Sequence, residues 1–159
     1  MKHFIFLLIL ILSSFSLFAG SREIGFGAAV QSPLQDGTQI GVSLVSHHSL
    51  KPHIAFVDAI IAFGDANFRN INMGPTTLGF RLYPAKSNTG LFLGAEAGFF
   101  VAHSKWQISA LPNVGLKLQI AKLGAVDLHL AYVFDLNGLD LFGVDKQKFL
   151  LRLNYYAKL

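Results

Sequence analysis

Between Thr77 and Tyr83 the chain reads TLGFRLY, and its character changes at every second residue. Leu78, Phe80 and Leu82 share one face, while Thr77, Gly79, Arg81 and Tyr83 share the other. Alternation with period two belongs to a β-strand, whose successive side chains point to opposite sides. GLFLGAEAGFF, residues 90–100, behaves the same way: Leu91, Leu93, Ala95, Ala97 and Phe99 lie on one face, and Phe92, Gly94, Glu96, Gly98 and Phe100 on the other. Glu96 is the one carboxylate in an otherwise apolar and small-residue stretch, and an unpaired charge is expensive to bury. Its surroundings decide what this protein is.

The same period recurs over 23–30, 39–44, 113–120, 126–134 and 148–156, each with one face almost free of charge. HIAFVDAIIAF, from His53 to Phe63, is apolar on both faces apart from Asp58. Counting it predicts eight strands of about 9 to 11 residues, the length of a tilted strand that crosses a bilayer. The connections alternate in length. SPLQDG is followed by the tight SLKP, DANFRNINMG by AKSNTG, and AHSKWQISALP by KLGA, with DLNGLDLFGVD last. Short turns on one side and longer loops on the other are the habit of outer-membrane barrels.

MKHFIFLLILILSSFSLFAG opens with one lysine, an apolar run from Phe4 to Leu12 and small polar residues up to Ala19. This is the pattern of a secretory signal peptide and is too short for a spanning helix. Residues 1–19 are therefore expected to be removed, leaving 20–159 as one domain. Cysteine is absent, so an exported domain must hold together without disulfides or thiolate metal sites. Thirteen Lys and Arg against nine Asp and Glu, with no basic run, do not argue for a nucleic-acid partner.

RLYPAKSNTGLFLGAEAGFF, residues 81–100, resembles the strand-turn-strand unit of small bacterial outer-membrane β-barrels, in which a Tyr-Pro pair ends one strand and a Gly-rich strand follows. The pattern over 21–159 is similar to that of the eight-stranded OmpA-like and OmpX-like proteins. The resemblance implies an all-β, eight-stranded antiparallel up-and-down transmembrane barrel in the bacterial outer membrane of a Gram-negative cell. It implies outer-membrane lipids, lipopolysaccharide and the barrel-assembly machinery as partners, and no cofactor. Such barrels usually end in an aromatic residue, whereas this chain ends in Leu159.

In that fold Glu96 faces the interior. With AKSNTG as the turn, Glu96 lies opposite Gly79 and diagonally near Arg81, within reach of an ion pair. Glu23, Gln39, Asp58, Lys117, Asp127, His129, Lys148 and Arg152 are the other expected inward residues. They carry both signs, which suits a lumen filled by side chains.

Enzymatic alternatives rest on few residues. His47 and Ser49 form an H-x-S pair beside a short turn, on the side away from outer-leaflet lipid. His103 and Ser104 are adjacent on the chain, so in a strand they point apart and do not make a nucleophile-base pair. His47, His48 and His53 gather near one rim, yet a turn histidine is usually solvated. DANFRN and DLNGLD lack full calcium-loop spacing, and GFGAAV lacks the third glycine of a dinucleotide fingerprint. No catalytic residue and no metal ligand is assigned. The reading is a non-enzymatic barrel with a plugged polar lumen, serving envelope integrity or surface interaction. Phe68, Arg69, Trp106, Leu139 and Phe142 are its external-loop contacts to a surface protein partner. The alternatives are a lipid A-modifying enzyme and a soluble, lipocalin-like ligand carrier. The carrier needs its apolar face inward, the reverse of this pattern.

Overall fold

A computed structural model describes residues 22–32, 39–64, 72–85, 87, 89–102, 105–120, 123–136 and 148–158. The expected signal peptide, residues 1–19, lies outside them. Eight strands follow in chain order: β1 (Arg22–Ser32), β2 (Gln39–Lys51), β3 (Ile54–Gly64), β4 (Asn72–Leu82), β5 (Gly90–Ala102), β6 (Lys105–Ile120), β7 (Gly124–Asp135) and β8 (Lys148–Lys158). Each pairs antiparallel with the next, and β8 pairs with β1, closing an up-and-down barrel with no free edge. Closure leaves every strand with two ladder partners, which an open sheet denies its outermost strands.

The β2–β3, β4–β5 and β6–β7 connections lie at one end, called here the turn end, where β1 also begins. The β1–β2, β3–β4, β5–β6 and β7–β8 connections define the loop end. Tight reversal demands unusual backbone at Gly90 (φ 96°) and Gly124 (φ 140°), where L side chains are strained. At Gly124 a Cβ would also stand 2.0 Å from the Tyr156 carbonyl oxygen.

The expected connection AHSKWQISALP is largely strand. Pairing runs from Ala102–Lys105 down to Gly90–Lys117, so β5 and β6 are joined across residues 103–104 alone. Length alternation therefore breaks at this connection. Its polar residues and Pro112 look like turn signals in sequence, but Gln107 and Ser109 are buried inward positions of a strand. Pro112 has no N–H to donate, and the β6–β7 ladder lapses there, between Ala110–Phe134 and Asn113–Ala131. Similarly, the β3–β4 register shifts between Ile60 and Ala62, beside Pro75.

Inside, the described residues form a core of Ala29, Val45, Val57, Ala59, Ile61, Phe63, Leu111, Ala125, Ala131, Val133, Leu150 and Tyr156. The alternate positions face out.

Candidate functional site

The interior holds the chemistry. Gly79 pairs with Glu96, the register expected from the AKSNTG turn. A Cβ at Gly79 would fall 2.6 Å from both Cα and Cγ of Glu96, so only glycine leaves the carboxylate room to turn into the lumen. There Glu96 is buried, and both its oxygens accept from Arg152 Nη2, at 2.6 and 2.7 Å.

Arg152 also donates from Nε to His129 Nδ1 at 2.9 Å, which places the imidazole proton on Nε2, 3.8 Å from Glu96 Oε1. A second centre forms around Asp127. Its Oδ2 accepts from Arg81 Nη1 at 2.6 Å and from the Tyr156 hydroxyl at 2.7 Å, and its Oδ1 accepts from Asn154 Nδ2 at 2.8 Å. Ser43 donates to Asn154 Oδ1 at 2.6 Å, and the Arg81 guanidinium lies 4.2 Å from the centre of the Phe92 ring. The two centres meet at His129, whose Nδ1 lies 3.5 Å from Arg81 Nη2.

Toward the turn end, Lys117 Nζ bonds Glu23 Oε2, and His47 Nδ1 approaches the same oxygen at 3.2 Å. His47 Nε2 meets the Tyr83 hydroxyl at 3.0 Å. Burial pushes that hydroxyl up to about 12, so at neutral pH it keeps its proton. Arg81, Lys117 and Arg152 thus stand against Glu23, Glu96 and Asp127, three charges of each sign. A set of buried ions survives only when each finds partners in this way.

Several expectations change. Glu96 pairs with Arg152 rather than Arg81, which instead reaches Asp127. Both arginines have the same parity on their strands as Glu96, and sequence alone does not choose between them. His47, read as a turn residue, is an inward member of the network. Tyr83, Asn154 and Tyr156 join it too, and their alternation with Arg81 and Arg152 is the signal that marks them.

Asp58 is not in the lumen. Ala55, Val57, Ala59, Ile61 and Phe63 occupy the inward positions of β3 and are buried, so Asp58 takes the outward face opposite Ser46. A segment apolar on both faces carries no parity signal, and pairing decides it. On that outer side Ser46 Oγ lies 2.8 Å and Asp58 Oδ1 3.7 Å from the same atom, His48 Nε2. A nucleophile-base-acid relay engages opposite nitrogens of the ring. This cluster does not have that geometry.

His47 and His48 point to opposite faces and do not converge. Among the described residues no group of three or more His, Cys, Asp or Glu side chains could hold a metal ion. Trp106 belongs to β6, paired with Val101, rather than to a loop. Phe68, Arg69, Leu139 and Phe142, like His103 and Ser104, lie outside the described residues.

The lumen is unequal along its length. The ionic network fills the half nearer the turn end. Ala29 pairs with Arg152 and Leu111 with Glu96, and Ile61, Phe63, Val133 and Leu150 stand toward the loop end, all six at most 5% exposed.

No protein-family model and no curated protein sequence matches the chain. A solved structure described as "De novo design of transmembrane beta-barrels" is similar over 87% of this chain and 96% of its own, with 15% sequence identity and a TM-score of 0.49.

Proposed function

We propose that this chain is exported, loses residues 1–19 and resides in the bacterial outer membrane as a non-enzymatic barrel whose lumen is plugged. One observation carries the reading: apart from the Ser46–His48–Asp58 cluster on β2 and β3, the outward face is largely apolar, and it is bare. Leu91 is 66% exposed, Phe26 and Val42 65%, and Leu93, Leu44, Leu118 and Leu153 all above half. With Phe80 of β4 at 56% and Phe134 of β7 at 50%, every strand except β3 contributes an exposed large apolar side chain to this band. A soluble monomer rarely shows an apolar patch beyond a few hundred Å², whereas hydrocarbon solvates such a band without cost.

The polar interior supports the same arrangement, because lumen and exterior have exchanged the roles they hold in a water-soluble barrel. The ion pairs and the apolar layer above them leave no wide aqueous path, which favours a structural or recognition role over solute conduction. Recognition falls to the loop end, with Phe68, Arg69, Trp106, Leu139 and Phe142 as contacts to a surface protein partner. Outer-membrane lipids and lipopolysaccharide surround the band, and the barrel-assembly machinery inserts it.

Membrane fractionation with heat-modifiable gel mobility tests the location. The protein is expected to require detergent for extraction and to migrate faster when unboiled. Recovery as a detergent-free periplasmic monomer overturns the reading. Large, stable single-channel currents in a planar bilayer overturn the plugged lumen.

A further inference from the structure

The outward face is not smooth. A groove of about 430 Å³ runs over β6, β7 and β8 in the loop-end half. Pro112 and Val114 of β6 stand on one side of it, and Leu130, Tyr132 and Phe134 of β7, with Phe149 of β8, on the other. Its origin is local. The β6–β7 ladder lapses between Ala110–Phe134 and Asn113–Ala131, where Pro112 has no N–H to donate, and the inward residue Asn113 contributes to the lining there. On the far side the Tyr132 ring packs against Phe149, with centroids 5.3 Å apart at 81°, and against Phe134, at 4.3 Å and 54°, so the three rings form one wall.

No lining side chain carries a charge. The groove runs on into the apolar band without a polar break: Leu130 pairs with Leu151 and Leu128 with Leu153, all four exposed. From Leu130 to Phe134 the strand rises about 13 Å, close to the roughly 15 Å of hydrocarbon in one leaflet. Hydrocarbon gives apolar side chains no drive to hide, so packing decides what rests on them. A chain lying in a groove touches protein on several sides, whereas on the convex remainder of the barrel it touches on one. We propose that this groove seats a single acyl chain of a membrane lipid, in the leaflet at the loop end. Pro112 and Val114 flank the chain on one side and the aromatic wall flanks it on the other, and the lack of charge leaves the headgroup unselected. The inference rests on the membrane reading but fails separately from it: a barrel that needs detergent for extraction yet holds no chain in the groove keeps the first and loses the second.

The test uses the folded barrel in micelles of a bile-salt detergent, which has no long alkyl chain of its own to offer. It is titrated with dimyristoylphosphatidylcholine and separately with dimyristoylphosphatidylglycerol. NMR cross-relaxation from the chain methylenes to the rings of Tyr132, Phe134 and Phe149 reports occupancy. The methyl groups of Val42, 65% exposed on β2 across the barrel from β6, serve as reference. The ring signals are expected to saturate at one lipid per barrel, with equal affinity for the two headgroups and no saturable signal at Val42. Val114→Phe fills the groove from an exposed position and is expected to weaken binding about tenfold or more, the worth of roughly ten lost carbon contacts. Should that variant not fold, Leu130→Phe fills the groove from the facing strand with the same expected loss. Absence of saturation, equal signals at Val42, unchanged affinity in the filled variant or a strong preference for one headgroup each overturns the proposal. Ring contacts that grow with protein concentration before lipid is added would place a second copy in the groove and overturn it as well.

Discussion

The two halves of the lumen solve the problem of filling a narrow barrel by different means. Near the turn end the space is taken by long ionic side chains, each located by named partners: Arg152 by Glu96 and His129, Arg81 by Asp127, Lys117 by Glu23. Near the loop end it is taken by Ile61, Phe63, Val133 and Leu150, which need only shape. In the first half removal of one group strands another in a place water does not reach. In the second it leaves a hole. The difference teaches where this barrel is specified and where it is merely packed.

The sharpest way to break the comparison is Arg152→Ala. It leaves Glu96 buried without its counter-charge and is expected to cost about 3–5 kcal/mol. Urea unfolding of the detergent-folded barrel measures this, and adding Glu96→Gln to the variant should recover much of the loss. A cost under about 1 kcal/mol would mean that water already enters the turn-end half. Next, Ile61→Ala in the loop-end half is expected to cost about 2–4 kcal/mol through cavity formation. Ile61→Leu, which conserves volume, should cost under about 1.5 kcal/mol, and a large penalty for that swap would show that the packed half is as specific as the ionic one.

Double-mutant cycles sharpen the assignment of partners. Glu96 with Arg152 should show a coupling of about 1–3 kcal/mol, and Glu96 with Arg81 clearly less; the reverse order would restore the diagonal pair that the strand register alone suggests. The smallest effect belongs outside the lumen. Asp58→Asn is expected to change stability by about 1 kcal/mol or less, because Asp58 Oδ1 stands 3.7 Å from His48 Nε2, beyond hydrogen-bond distance. A loss as large as that of Arg152→Ala would mean that the outer cluster with Ser46 is as tightly specified as the lumen network.

Much of this was legible in the chain itself. Alternation at Leu78, Phe80 and Leu82 against Gly79 and Arg81 sets strand, faces and the inward turn of Glu96, because side-chain direction in a strand depends only on parity. Most of the eight segments carry that signal, and a closed barrel lets each bury its polar face. What parity does not contain is depth and partner. Glu96 faced two arginines of the right parity, and only the shear of the closed barrel, which brings β8 alongside β1, sets Arg152 rather than Arg81 against it. Asp58 lay in a segment apolar on both faces, where pairing with Ser46 and Leu78 turned it outward. The β5–β6 connection was hidden by Pro112 and by polar residues that are inward positions of a strand. The sequence by itself thus determined the period, the faces and an interior that must balance its charges, since those follow from local geometry and the cost of burying ions. The tertiary structure alone decided which charge meets which and where the polar half gives way to the apolar one, because those depend on the stagger between strands distant in the chain.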